Sequence, residues 1–191
     1  MIRIARNKAL TIPEGPDFRV DTLQHCADSY PQGGFRALFC LGNTLVHLAD
    51  RAELDAVMRG FKRLLTPGGG LAVQLLNYDR LLRKKPTTLP PLTGEDERGR
   101  VSFHRSYGYD AHGVRFSGRL EIERGGERGG KLGGKRVEFS SETLLLPIKR
   151  DELLESCREA GFNNARLWED YEQTPATNES FFYLLSASAA L

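Results

Sequence analysis

The sequence predicts an α/β fold: a sheet with helices on its faces, carrying an inserted antiparallel β region. Three observations predict it. Residues 35–76 run strand, amphipathic helix, glycine turn, strand. Residues 101–146 alternate apolar and polar at strand period. After residue 150 the pattern returns to a helix followed by strands.

Residues 1–10 read as a helix, with Ile2, Ala5 and Ala9 on one face, and Pro13, Gly15 and Pro16 stop it. Phe18-Arg-Val20 alternates and predicts a short strand ending at Asp21. Gly33-Gly34 leads into Phe35–Leu41, a nearly continuous apolar run of the kind covered on both faces. Asp50 and Glu53 have the spacing of a capping box. Leu54, Val57, Met58, Phe61, Leu64 and Leu65 recur at helical spacing. Thr66–Gly70 ends that helix, and Leu71–Leu76 predicts a second buried strand. Such a unit is a parallel crossover.

Residues 84–99, rich in proline, charge and glycine, predict a loop. Residues 101–109, 114–123 and 136–146 predict antiparallel strands, with Asp110-Ala-His-Gly113 as a hairpin turn. Leu153, Leu154, Cys157 and Ala160 mark a helix with Gly161 as its left-handed cap. Ala165–Trp168 and Phe181–Leu185 predict a terminal antiparallel pair. The chain therefore reads as one domain, 1–191, with 84–146 inserted in it.

The 191 residues suit one domain with its own core. A formal net charge of +2 does not mark a nucleic-acid binder. Cys26, Cys40 and Cys157 are odd in number and have no metal-ligand spacing, which fits reduced thiols in a cytoplasmic protein. His25, His104 and His112 have no partners at metal spacing, so no metal is expected. No apolar run approaches the ~18 residues of a membrane span. Nucleophile elbows and phosphate loops are absent. Between the second and third antiparallel strands, Gly125–Gly134 follows Arg124 and includes a second Arg-Gly-Gly at Arg128. Two such repeats suit a flexible hairpin tip better than an RNA-binding tail.

Three segments carry a resemblance: Phe39-Cys-Leu-Gly-Asn-Thr-Leu-Val-His-Leu48, Leu64-Leu-Thr-Pro-Gly-Gly-Gly-Leu71 and Ala160-Gly-Phe162. In that order they resemble class I S-adenosylmethionine-dependent methyltransferases. Leu41–His47 and Asn77-Tyr-Asp79 are nearest to small-molecule N-methyltransferases of the glycine and sarcosine type. The resemblance implies a Rossmann-like methyltransferase sheet, seven-stranded in the family with its last strand antiparallel and expected here to be N-terminally truncated. It aligns Met1–Ala9 with the helix after the second family strand, so the family's glycine-rich cofactor loop is expected to precede this chain. Gly125–Gly134 cannot replace that loop, because it lies between antiparallel strands.

The resemblance implies S-adenosylmethionine as cofactor and a small molecule as acceptor. By it, Asp21 accepts the adenine amino group, and Thr22 and Leu23 pack on the ring. The plain alternative is an Asp21 that caps a turn. Leu41, Gly42 and Asn43 would hold the cofactor's methionine part, Asn43 also touching the acceptor. His47 is either a general base or cofactor contact, or an ordinary loop histidine. Asn77 and Tyr78 would face the acceptor, Tyr78 with a catalytic role; Tyr78 in the core is the alternative. Leu76 stands where the resemblance puts the basic residue that grips an amino-acid carboxylate, which argues against glycine as acceptor.

Two functions follow from different classes. One is methyl transfer, in which the protein positions donor and acceptor and excludes water. The other is a non-catalytic remnant or assembly module. With the family's first strands missing, the Phe35 strand has an open edge. Direct pairing with the Phe18 strand, a homodimer, or a longer natural protein would each close it.

Overall fold

The computed structural model describes residues 2–96, 99–124 and 136–190. Met1 and the expected hairpin tip Gly125–Gly134 lie outside the described residues. The chain forms α1 (Ile2–Ala9), β1 (Phe35–Cys40), a single 3-10 turn (Leu45–His47), α2 (Arg51–Leu64), β2 (Leu65–Leu76) and α3 (Tyr78–Lys84). Four strands follow: β3 (Thr88–Asp96), β4 (Gly99–Asp110), β5 (Gly113–Arg124) and β6 (Arg136–Leu145). It ends with α4 (Arg150–Glu159), β7 (Phe162–Trp168) and β8 (Phe182–Ala189).

The first sheet has the order β1-β2-β8-β7. β1 and β2 are parallel, with Leu38 opposite Leu71. β8 runs antiparallel to both neighbours, so Leu185 faces Val73 on one side and Leu167 on the other. Helix α2 buries Leu54, Val57, Met58, Phe61 and Leu64, one apolar stripe, against this sheet. Each such side chain contributes about 1.5–3 kcal/mol by leaving water. The start of α2 forms half of the expected capping box, Asp50 capping the helix while Glu53 reaches one residue further back, to Ala49. The Glu53 N–H donates to Asp50 Oδ1 at 2.9 Å, and the Ala49 N–H donates to the Glu53 carboxylate at 2.9 Å. At the end of α4, Gly161 adopts φ +86°, the left-handed cap.

The second sheet is fully antiparallel in the order β3-β4-β5-β6. Val114 and Leu145 lie opposite one another, are buried with Tyr107, and pack on the core of the first sheet. The Leu146 N–H donates to the Val46 carbonyl at 2.8 Å, fastening this sheet to the 3-10 turn.

Four expectations need correction. Phe18–Val20 is not a strand: Val20 is exposed, and the Phe18 carbonyl accepts from Arg6 Nε at 2.7 Å instead of joining a ladder. The Phe18 strand therefore does not close the sheet edge. Second, Phe35–Leu41 is not covered on both faces. β1 is an edge strand among the described residues, and Phe39 is 69% exposed. Third, Thr66–Gly70 belongs to β2. Leu65 pairs with Phe35 and Gly70 with Ala37, so the extra residues bulge out of the ladder. Fourth, the segment expected as a loop over 84–99 contains a strand, β3, at Thr88–Asp96. It is an edge strand whose register shifts between Leu89 and Leu92, where Pro90-Pro91 sits. Prolines are tolerated at such a bulge.

Candidate functional site

Ligands of open α/β sheets bind outside the carboxyl ends of the parallel strands. Here that place is the loop Leu41–Thr44, after β1, together with the end of β2. Gly42 has φ +75° and Asn43 φ +64°. An added Cβ at Gly42 would meet open space, so the backbone conformation alone favours glycine there. Asparagine is among the few side chains that tolerate the same region.

Strand β2 holds this loop. The Gly42 N–H donates to Gln74 Oε1 and the Asn43 N–H to the Gln74 carbonyl, both at 3.1 Å. The Leu76 N–H donates to Asn43 Oδ1 at 3.0 Å. Asn43 Nδ2 then donates to the Tyr78 hydroxyl at 3.2 Å. Thr44 Oγ1 donates to the Leu41 carbonyl at 2.6 Å and tightens the turn. Gln74 Nε2 reaches Tyr171 OH at 3.4 Å, tying the loop after β7 to the same cluster.

Tyr78 is fully buried. Burial pushes its hydroxyl up to about 12, with the Asn43 bond pulling the other way, so the phenol stays protonated at neutral pH. Asn77 is 2% exposed and its side chain is fully engaged. Its Oδ1 accepts from the Arg80 N–H at 2.9 Å and caps α3, while Nδ2 lies within hydrogen-bond distance of the carbonyls of Thr177, Asn178 and Ser180. Both residues thus act inside the protein, holding the site's frame. His47 is exposed on the 3-10 turn, its backbone N–H donating to the Thr44 carbonyl at 3.2 Å.

A groove of about 810 Å³ runs beside β1. Leu23, Leu41, Thr44, Tyr30 and Phe39 contribute to its wall, and the Asp17–Arg19 ion pair at 2.6 Å borders it. Leu23 and Leu41, far apart in sequence, are thereby brought to one surface. Asp21 and Thr22 form a turn beside it and do not line it. The Thr22 N–H donates to Asp21 Oδ1 at 2.8 Å, and Thr22 Oγ1 meets His25 Nδ1 at 3.0 Å. The Ser29 hydroxyl and then the Thr22 N–H hold the Asp21 carboxyl below the usual range.

Sequence reasoning missed Gln74, Thr44 and Tyr171. Gln74 carried a signal, being the single polar residue within Leu71–Leu76, where a half-buried amide must find partners. Among the described residues no group of His, Cys, Asp and Glu could hold a metal, and no helix is long and apolar enough to cross a membrane.

No protein-family model matches the chain. It is 24% identical over 153 residues to the glycine/sarcosine/dimethylglycine N-methyltransferase of Actinopolyspora halophila, covering 80% of this chain and 24% of that protein. The chain thus spans about a quarter of this curated relative. Among solved structures, it is similar to the CcbJ methyltransferase of Streptomyces caelestis, with TM-score 0.74 and 22% identity over 100% of this chain and 75% of that one. It is also similar to an S-adenosylmethionine-dependent methyltransferase from Clostridium acetobutylicum, with TM-score 0.73 and 13% identity over 98% and 70%. The fold is that of the class I S-adenosylmethionine-dependent methyltransferases. The strand order β1-β2-β8-β7, with β8 antiparallel beside β2, is its signature in this chain.

Proposed function

We propose that this chain takes part in S-adenosylmethionine-dependent methyl transfer to a small-molecule acceptor. The observation that carries the proposal is the Leu41–Thr44 loop, held open at positive φ by Gln74 and Asn43 at the carboxyl ends of two parallel strands. The residues present fit part of the cofactor. The groove beside β1 has room for an adenosyl group, with Leu23 and Leu41 as apolar walls for a flat ring. Leu41, Gly42 and Asn43 would hold the methionine end. Among the described residues, no glycine-rich turn joins a parallel strand to a helix N-terminus, so a full cradle needs further residues. When bound, the cofactor supplies an electrophilic methyl group on a sulfonium. The chain's own part is to position the acceptor and exclude water. His47, exposed beside the loop, is the candidate to take the proton of an amine acceptor. The three free cysteines fit a cytoplasmic setting.

Calorimetry with S-adenosylmethionine tests this reading. Binding that weakens on Gly42→Val substitution supports it, and no heat at millimolar ligand refutes it for this chain.

A second reading rests on one observation, the open outer edge of β1 with Phe39 beside it. By it the chain is an assembly module, closed by a second copy. Light scattering after gel filtration decides: a monomer at all concentrations rules out this homodimer.

A further inference from the structure

The second sheet has two unlike faces. On one, Thr93, Ser102, Glu121 and Glu138 lie opposite one another across the four strands. Ion pairs knit that face together: Glu121 meets Arg136 at 2.7 Å and Arg119 at 3.4 Å, and Glu95 meets Arg100 at 3.4 Å. One residue along each strand, the other face is apolar. Leu92, Phe103, Leu120 and Phe139 form a first row across all four strands. Gly94, Val101, Ile122 and Val137 form a second.

This apolar face is continuous with the part that Tyr107, Val114 and Leu145 bury against the first sheet. Its outer part is left bare. No side chain of the two rows belongs to the core or packs against it, and Leu92, Val101 and Phe139 are exposed. The Phe103 ring lies over Gly118, where an added Cβ would meet it at 3.0 Å. Arg105, in the row nearer the core, turns to the Pro90 carbonyl at 3.0 Å. Four strands about 4.8 Å apart and two rows about 6.8 Å deep make about 260 Å² of flat apolar sheet. Monomers seldom leave more than a few hundred Å² of contiguous apolar surface bare.

We infer that a second copy of the chain covers this face, the two sheets packing face to face about a two-fold axis that runs along the strands between β4 and β5. The residue pattern is self-complementary in that arrangement. The first row alternates leucine and phenylalanine, so the axis sets Leu92 against the partner's Phe139 and Phe103 against the partner's Leu120. A large side chain then meets a smaller one at every position, and the two rows interdigitate. In the second row, an added Cβ at Gly94 would find no atom within 4 Å, and that space receives the partner's Val137. Neither row carries a charge, so the face meets its own copy without like-charge repulsion. The neighbouring charges are engaged on the opposite face, and nothing in the two rows selects a partner of opposite sign. The area belongs to small, reversible interfaces, not obligate ones. This interface is separate from the open edge of β1 and does not rest on methyl transfer.

Sedimentation equilibrium of the full chain, from micromolar to millimolar concentration, is the test. A reversible monomer–dimer equilibrium with a micromolar dissociation constant is expected. Phe139→Glu and Leu92→Lys should each weaken it by at least about a hundredfold, because a two-fold interface meets every substitution twice. Mixing these two variants should restore association. In the mixed dimer one carboxylate faces one ammonium, and the other Leu92–Phe139 contact is native. Both side chains are exposed in the single chain, so melting temperatures near wild type are expected; should either variant not fold, dissociation by Val101→Lys serves in its place. A monomer at every concentration overturns the inference and leaves the face to a different protein or a lipid surface. A dimer that survives in folded Phe139→Glu, or a mixture that does not associate, overturns it as well. If Phe39→Ser dissociates the dimer and Phe139→Glu does not, the edge of β1 is the interface instead.

Discussion

Asn43 and Tyr78 meet across 3.2 Å, the carboxamide of one donating to the phenol of the other. The same carboxamide accepts the Leu76 N–H, so one side chain joins the ends of β1, β2 and α3. Asn43→Ala removes both bonds and should destabilise the fold by about 2 kcal/mol. Tyr78→Phe removes only the weaker one and should cost about 1 kcal/mol. Urea unfolding of the two variants checks the order. A larger loss in Tyr78→Phe than in Asn43→Ala contradicts it.

Asn77 separates structure from chemistry. Its amide caps α3 and binds the 177–180 turn at once. Asn77→Ala should therefore lower stability by about 2–3 kcal/mol, the sum of a lost cap and unsatisfied carbonyls. Thermal melting reads this directly. Unchanged melting with altered ligand binding would instead make Asn77 a ligand contact.

Alkaline pH should weaken the protein through its buried acids. Burial pushes the Tyr78 hydroxyl from 10.0 to about 12, and the Cys40 and Cys157 thiols from 9.0 to about 11. In each case the folded state holds its proton more tightly than the unfolded chain. The stability they contribute is complete below the ordinary values and is lost as pH rises through the folded ones. Urea midpoints should fall steadily above pH about 9, and the fall should be shallower in Tyr78→Phe. A flat profile to the onset of base hydrolysis would contradict this.

The helix cap at Asp50 makes a control remote from the loop. Asp50→Ala should cost about 1 kcal/mol while leaving any cofactor binding unchanged. Chemical unfolding beside calorimetry measures both. A loss of binding with the fold intact would connect α2 to the site in a way its contacts do not suggest.

Much of the fold was legible because its signals are local. The stripe on α2, the cap pair Asp50 and Glu53, the turn before Val114 and the left-handed Gly161 each follow from a few neighbouring residues. What escaped depends on distant neighbours. Phe35–Leu41 has the apolarity of a central strand, but burial depends on what lies beside it, and β1 ends at an open edge. Thr88–Asp96 carries two prolines and reads as a loop until the pairing with β4 is known. The candidate site divides the same way. Leu41–Asn43 stood out by sequence, while Gln74 gains meaning only from partners found across the fold.

The position of β8 has a consequence for how the molecule forms. This strand comes after all the other described strands, yet it sits between β2 and β7. During synthesis, β2 emerges more than a hundred residues before the strand that flanks it. Until then β2 offers an unpaired row of backbone groups, and β7 has nothing to join. The crossover of β1, α2 and β2 can collapse on the ribosome, but the sheet closes only once β8 has been made. A chain interrupted before Phe182 would lose both ladders together, giving not a shortened protein but an open one, exposed to chaperones and proteases.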